Sequence, residues 1–140
     1  MASDRRVLIV DDNAANGELA TFVLEDAGFV VNTVIDAGDA LAQVASFQPD
    51  LILMDIRLSG GDGLALTQTL KSGPTTSDIV IVAFTAYAMK GDDARLRAAG
   101  CDAYIAKPID VASFARQVEA ALGAGPPMDL DTLRGELADR

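Results

Sequence analysis

Val7-Leu8-Ile9-Val10-Asp11-Asp12-Asn13, close to the start of the chain, runs four apolar residues straight into two acids, and Leu51-Ile52-Leu53-Met54-Asp55-Ile56 repeats the pattern. Unbroken apolar runs of this length suit strands covered on both faces, as in a parallel sheet. If the two runs are neighbouring parallel strands, Asp11, Asp12 and Asp55 arrive at one sheet edge. Two carboxylates about 4 Å apart repel by roughly 4 kcal/mol at an effective dielectric near 20. Three of them together call for a compensating cation, and a hard divalent metal is the natural choice.

Outward from these runs, short apolar stretches alternate with segments of helical period. Val7 to Val10, Phe29 to Val34, Leu51 to Met54, Ile79 to Phe84 and Ala103 to Ala106 read as five strands. Between them, Ala15, Leu19, Phe22 and Val23 share one helical face, as do Ala40, Leu41, Val44 and Ala45. The last helix carries Val111, Phe114, Ala115, Val118, Ala121 and Leu122, while the stripes around Leu64 to Leu70 and Met89 to Ala99 are weaker. Gly28, Gly73 and Gly100 follow helical stretches, where a left-handed residue often ends the helix. Strand and helix alternating five times predict an α/β fold: a doubly wound parallel sheet with helices on both faces and right-handed crossovers.

Composition sets the outer limits. The chain has 140 residues, half of them hydrophobic, which is one domain with a sizeable core. Its net charge of −10 disfavours a nucleic-acid or anionic-membrane surface, since phosphates would be repelled. With no apolar stretch near the ~18 residues of a membrane span, and no signal-peptide pattern, a cytoplasmic protein is expected. Cys101 is the lone cysteine and there is no histidine, so thiolate clusters, internal disulfides and imidazole catalysis are excluded. Chemistry must rest on carboxylates, lysine, hydroxyls and backbone. Cys101 reads first as a buried small hydrophobe and second as a redox sensor.

In an open parallel sheet, ligands bind outside the carboxyl ends of the strands, where strand order reverses. Strand one ends in Asp11-Asp12, strand three in Asp55, strand four in Thr85 and strand five in Lys107-Pro108. Acid, acid, hydroxyl and ammonium converge there. Val-Leu-Ile-Val-Asp-Asp-Asn, Leu-Ile-Leu-Met-Asp-Ile, Phe-Thr-Ala and Lys-Pro, in that order, resemble the receiver domain of two-component response regulators. The stretch Ala83 to Asp92, with Gly100-Cys101-Asp102 after it, is similar to stand-alone regulators of the DivK type and to receivers of hybrid kinases.

The resemblance implies a flavodoxin-like fold with five strands in order 2-1-3-4-5. It spans a receiver domain over residues 5–122, leaving 123–140 as a linker and short amphipathic tail. Asp55 would be the phosphoacceptor, taking a phosphoryl group from the phosphohistidine of a sensor histidine kinase or a histidine phosphotransfer protein. Asp12, Asp55 and the main-chain carbonyl of Arg57 would ligate Mg²⁺, with Asp11 acting largely through water. Lys107 supplies a fixed positive charge and Thr85 a hydroxyl. Thr85 and Tyr104 would form the switch that reshapes the face of helix four, strand five and helix five for a downstream protein target. The Lys107-Pro108 bond is cis in the family, aiming the ammonium inward. The chain departs from the family at Leu58-Ser59-Gly60-Gly61-Asp62-Gly63, which lacks the usual proline. Arg57 and Tyr87 stand two residues beyond Asp55 and Thr85, where bulk would hinder water and prolong the acyl phosphate.

Other readings stay open at this level. Asp11 or Asp12 also suits the N-cap of the following helix. A Mg²⁺-dependent aspartate-nucleophile phosphatase pairs the same groups, although it usually places its nucleophile after strand one in an Asp-x-Asp pattern. A flavodoxin would share the architecture, but three carboxylates would repel its phosphate. The chain also fits a receiver excised from a hybrid kinase. After Gly123-Ala124-Gly125-Pro126-Pro127, residues Leu130, Leu133 and Leu137 at helical spacing suit either a solvated end or a docking helix.

Overall fold

The structure, a computed structural model, describes residues 5–56, 63–85 and 92–123. Its elements alternate in chain order as β1 Arg6–Val10, α1 Ala14–Asp26, β2 Val30–Val34, α2 Ala37–Phe47, β3 Leu51–Met54, α3 Gly63–Ser72, β4 Val80–Thr85, α4 Asp92–Ala99, β5 Ala103–Ala106 and α5 Phe114–Gly123. All neighbouring strands pair in parallel, in the order β2-β1-β3-β4-β5. This is the doubly wound α/β architecture expected from the alternation.

The three inner strands are buried along almost their whole length, because each faces helices on both sides. Val7, Ile9, Leu51, Leu53, Val82 and Phe84 point to one face, where α1 and α5 cover them. Leu8, Val10, Ile52, Met54, Ile81 and Ala83 point to the other, under α2, α3 and α4. Edge strand β2 is instead largely exposed, with Val31 its one buried residue and Val34 half-buried, since its outer side faces no further strand.

The face of α1 differs from the sequence expectation. Leu19 and Phe22 are exposed, Phe22 to 71%, while Gly17, Ala20, Val23 and Leu24 lie against the sheet. Gly17 faces Thr33 of β2, where a Cβ would meet the Thr33 methyl at an ordinary contact distance of 3.6 Å. Likewise Ala40 and Val44 of α2 are buried, whereas Leu41 is 45% exposed and Ala45 is exposed. Val111, expected on the stripe of α5, precedes that helix and is exposed. Gly28 and Gly100 take positive φ after α1 and α4 as expected. Gly73 does not, and α2 is closed by left-handed Gln48. The tail reading at 124–140 falls outside the described residues.

Candidate functional site

Backbone pairing carries past the strand ends and sets the site. The amides of Asp11, Asp55 and Lys107 donate to the carbonyls of Val34, Val10 and Thr85 at 3.1, 2.9 and 2.8 Å. Val10 pairs with Met54, so the acids that follow them stand level at the carboxyl edge. Strand order reverses between β1 and β3, and the crevice at such a point is where an α/β sheet binds ligands.

Asp11, Asp12 and Asp55 each present a carboxylate oxygen, and the three lie within 4.8 Å of one another. Asp11 and Asp55 are buried, 3% and 6% exposed, whereas Asp12 faces solvent. Lys107 reaches in from the end of β5, placing Nζ 2.7 Å from Asp11 Oδ2 and 3.6 Å from Asp55 Oδ2. The Lys107-Pro108 peptide is cis, as the resemblance implied. Among the described residues, three carboxylates thus share this edge with the Lys107 ammonium.

Helix capping does not account for the acids. Asn13 caps α1, its side chain accepting from the amides of Ala15 and Asn16 at 3.0 and 3.2 Å. Asp11 uses Oδ1 to accept from the Asn13 amide at 2.8 Å, which fixes the carboxylate in an Asx turn. Its buried Oδ2 receives no aligned hydrogen bond. Lys107 approaches that oxygen as an ion pair rather than as a directed donor. Three carboxylates gathered in this way fit an oxygen-ligated divalent cation such as Mg²⁺.

Thr85 closes β4 and is buried, 1% exposed. Tyr104 is half-buried on β5 and packs against both core layers. Ala83 pairs with Tyr104, and Thr85 follows Ala83 by two residues, so by strand alternation Thr85 and Tyr104 occupy the same face of the sheet. Arg57 and Tyr87 lie outside the described residues.

Two participants escape the sequence reading. Gly63, the first residue of α3, lies so close to the end of β3 that a Cβ there would fall 2.2 Å from the Asp55 carbonyl oxygen and 2.8 Å from Ile56 Cα. The only signal was a glycine at a helix start. Phe84, counted as a plain strand residue, has its ring centroid 4.9 Å from Lys107 Nζ. Nothing in the local sequence pairs those two residues.

Behind the site, Lys71 of α3 and Asp102 form an ion pair at 2.7 Å. Lys71 also donates to the Ile79 carbonyl at 2.8 Å, and Asp102 accepts from the Ile81 amide at 2.9 Å. The adjacent Cys101 thiol is pushed up to about 11, chiefly by burial, with the Thr67 hydrogen bond opposing. Such a thiol is a small hydrophobe rather than a redox sensor.

Comparison with known proteins agrees with this geometry. The model of the response regulator receiver domain family matches residues 7–119. The polar-differentiation response regulator DivK of Brucella anthropi is 40% identical over 119 residues, covering 85% of this chain and 97% of that relative. A CheY-like response regulator receiver domain protein from Methanospirillum hungatei superposes with a TM-score of 0.77 at 28% identity, covering 86% of this chain and 94% of its own. The receiver domain of sensor histidine kinase PA1611 from Pseudomonas aeruginosa, solved with a magnesium ion in its active-site cleft, gives a TM-score of 0.77 at 31% identity, covering 86% and 98%.

Proposed function

Because the chain belongs to the response regulator receiver domain family, we propose that it accepts a phosphoryl group on Asp55 and passes the signal on by binding another protein. A carboxylate oxygen of Asp55 forms the new O–P bond while the N–P bond of a donor phosphohistidine breaks, its electron pair returning to the imidazole. The donor is a sensor histidine kinase or a histidine phosphotransfer protein. Little covalent help is needed for such a transfer beyond positioning and charge neutralisation. The observation that carries the reading is the gathering of Asp11, Asp12 and Asp55 within 4.8 Å, with Lys107 facing the same pocket.

Each residue has a distinct part. Asp55 is the nucleophile, fixed by its strand-end amide and by the Gly63 contact. Lys107, already 3.6 Å from Asp55, offsets charge gained by the acyl phosphate. Asp12 and Asp55, with Asp11 through water, would hold Mg²⁺, as would the main-chain carbonyl of Arg57, which lies outside the described residues; the ion would supply positive charge to the acidic pocket. The Thr85 hydroxyl donates to the phosphoryl oxygens, and its shared face with Tyr104 couples that bond to the tyrosine ring. Phosphorylation then favours one arrangement of the α4, β5 and α5 surface through differential contacts. Arg57 and Tyr87 restrict water and lengthen the life of the phosphorylated form.

Among the described residues no helix is long and apolar enough to cross a membrane. The reading places the protein in the cytoplasm, where its kinase donor acts, with residues 5–122 as the working receiver unit. The test is acetyl phosphate with Mg²⁺, followed by mass mapping of the modified peptide. The label is expected on Asp55 and absent from Asp55→Asn, which should stay folded because repulsion in the pocket falls. Label retained by that variant would move the acceptor elsewhere, and turnover of p-nitrophenyl phosphate would favour the phosphatase reading.

A further inference from the structure

Lys107 enters the pocket over an aromatic face. Its Nζ lies 4.9 Å from the Phe84 ring centroid, within the range where a cation is drawn to the ring quadrupole. Phe84 is 1% exposed, and its ring stacks on that of Phe114, centroids 6.0 Å apart and planes 28° from parallel. Phe114 is fully buried at the start of α5, where its amide donates a hydrogen bond to the Asp110 carbonyl at 2.9 Å. The ring beneath the ammonium is therefore locked in place.

The two ionic neighbours of Lys107 are less constant. Asp11, at 2.7 Å, and Asp55, at 3.6 Å, are the groups that a metal and a phosphoryl group would engage. When those carboxylates turn to other partners, an ammonium on four rotatable bonds is free to swing toward water. The π face of Phe84 persists through both events, since it competes for neither metal nor phosphoryl oxygen. It is also screened from solvent, where cation–π attraction is strongest.

We infer that Phe84 is a positioning residue, whose ring holds the Lys107 ammonium at the mouth of the pocket so that it meets the phosphoryl group forming on Asp55. This rests on the reading of Asp55 as the acceptor. A purely structural Phe84 would act by volume alone, and the electron density of its ring would be irrelevant.

The experiment replaces Phe84 in the full chain by mono-, di- and trifluorophenylalanine, which keep the ring's shape while draining its face of negative potential. Phosphorylation by acetyl phosphate with Mg²⁺ is then timed. The rate should fall stepwise with fluorination, by about three- to tenfold at the trifluoro residue. Phe84→Leu, apolar but without a π face, should resemble the trifluoro protein. Rates that do not follow fluorination overturn the inference while wild-type label on Asp55 leaves the functional reading intact. Wild-type protein without label on Asp55 overturns both.

Discussion

The Asp55 amide donates to the Val10 carbonyl at 2.9 Å, one rung past the last paired residues of β1 and β3. That bond brings the two acid-bearing strand ends level, and with Asp12 beside them three carboxylates gather at one edge, a set suited to a divalent cation. Mg²⁺ at ten times its dissociation constant should therefore stabilise the fold by about 1.4 kcal/mol. The rise in melting temperature should shrink greatly in Asp12→Ala. Equal shifts in the two proteins would refute the metal assignment.

Gly63 leaves no room for a side chain, because its would-be Cβ collides with backbone atoms of Asp55 and Ile56 that cannot rotate away. Gly63→Ala should cost on the order of 1–3 kcal/mol, the usual range for overpacking. Displacement of Asp55 should also slow its phosphorylation. Urea titration beside the acetyl phosphate assay checks both, and an unchanged midpoint with an unchanged rate would show that α3 can back away freely.

Cys101 should resist alkylation. Its thiol is pushed from 9.0 up to about 11, so near neutral pH the folded protein carries about a hundredfold less thiolate than the unfolded chain. Iodoacetamide should label native protein at least that much more slowly than urea-unfolded protein. The raised value also has a sign in stability. Below about pH 9 both states keep the proton and the contribution is intact; as pH rises from 9 toward 11 the unfolded chain deprotonates first and stability is lost. Cys101→Ala should lose that part of the alkaline dependence.

Asp102 meets the Ile81 amide, and its own amide donates to the Ile81 carbonyl at 2.8 Å, extending the sheet beside Lys71. Asp102→Ala strands the Ile81 amide and should cost about 1–3 kcal/mol. Asp102→Asn keeps an acceptor oxygen and should cost less, because an ion pair with 20% and 18% of its side chains exposed is partly screened. Equal losses in the two variants, measured by chemical denaturation, would place the contribution in the charge rather than in the hydrogen bond.

The strand runs, their order along the chain and the acids at their ends were legible because they depend on neighbours in sequence. Apolar runs mark buried strands, and glycines at 28 and 100 mark helix ends. The α1 face was misread because hydrophobicity ranks Leu19 and Phe22 above Gly17 and Ala20. What decided that face was how the helix docks on the sheet, which no local pattern encodes.

By itself the sequence determined the alternating architecture, the presence of three carboxylates, a hydroxyl and an ammonium at successive strand ends, and the family to which they belong. Only the tertiary structure decided that Asn13 rather than Asp11 caps α1, that Gly63 abuts Asp55, and that Lys107 lies over Phe84 with Asp11 at 2.7 Å. Local propensity and hydrophobic period act over a few residues, whereas the contacts of Lys107 with Phe84 and Asp11 join residues tens of positions apart. Their geometry follows from strand register and from close packing of the layers, and both exist only once the sheet has formed.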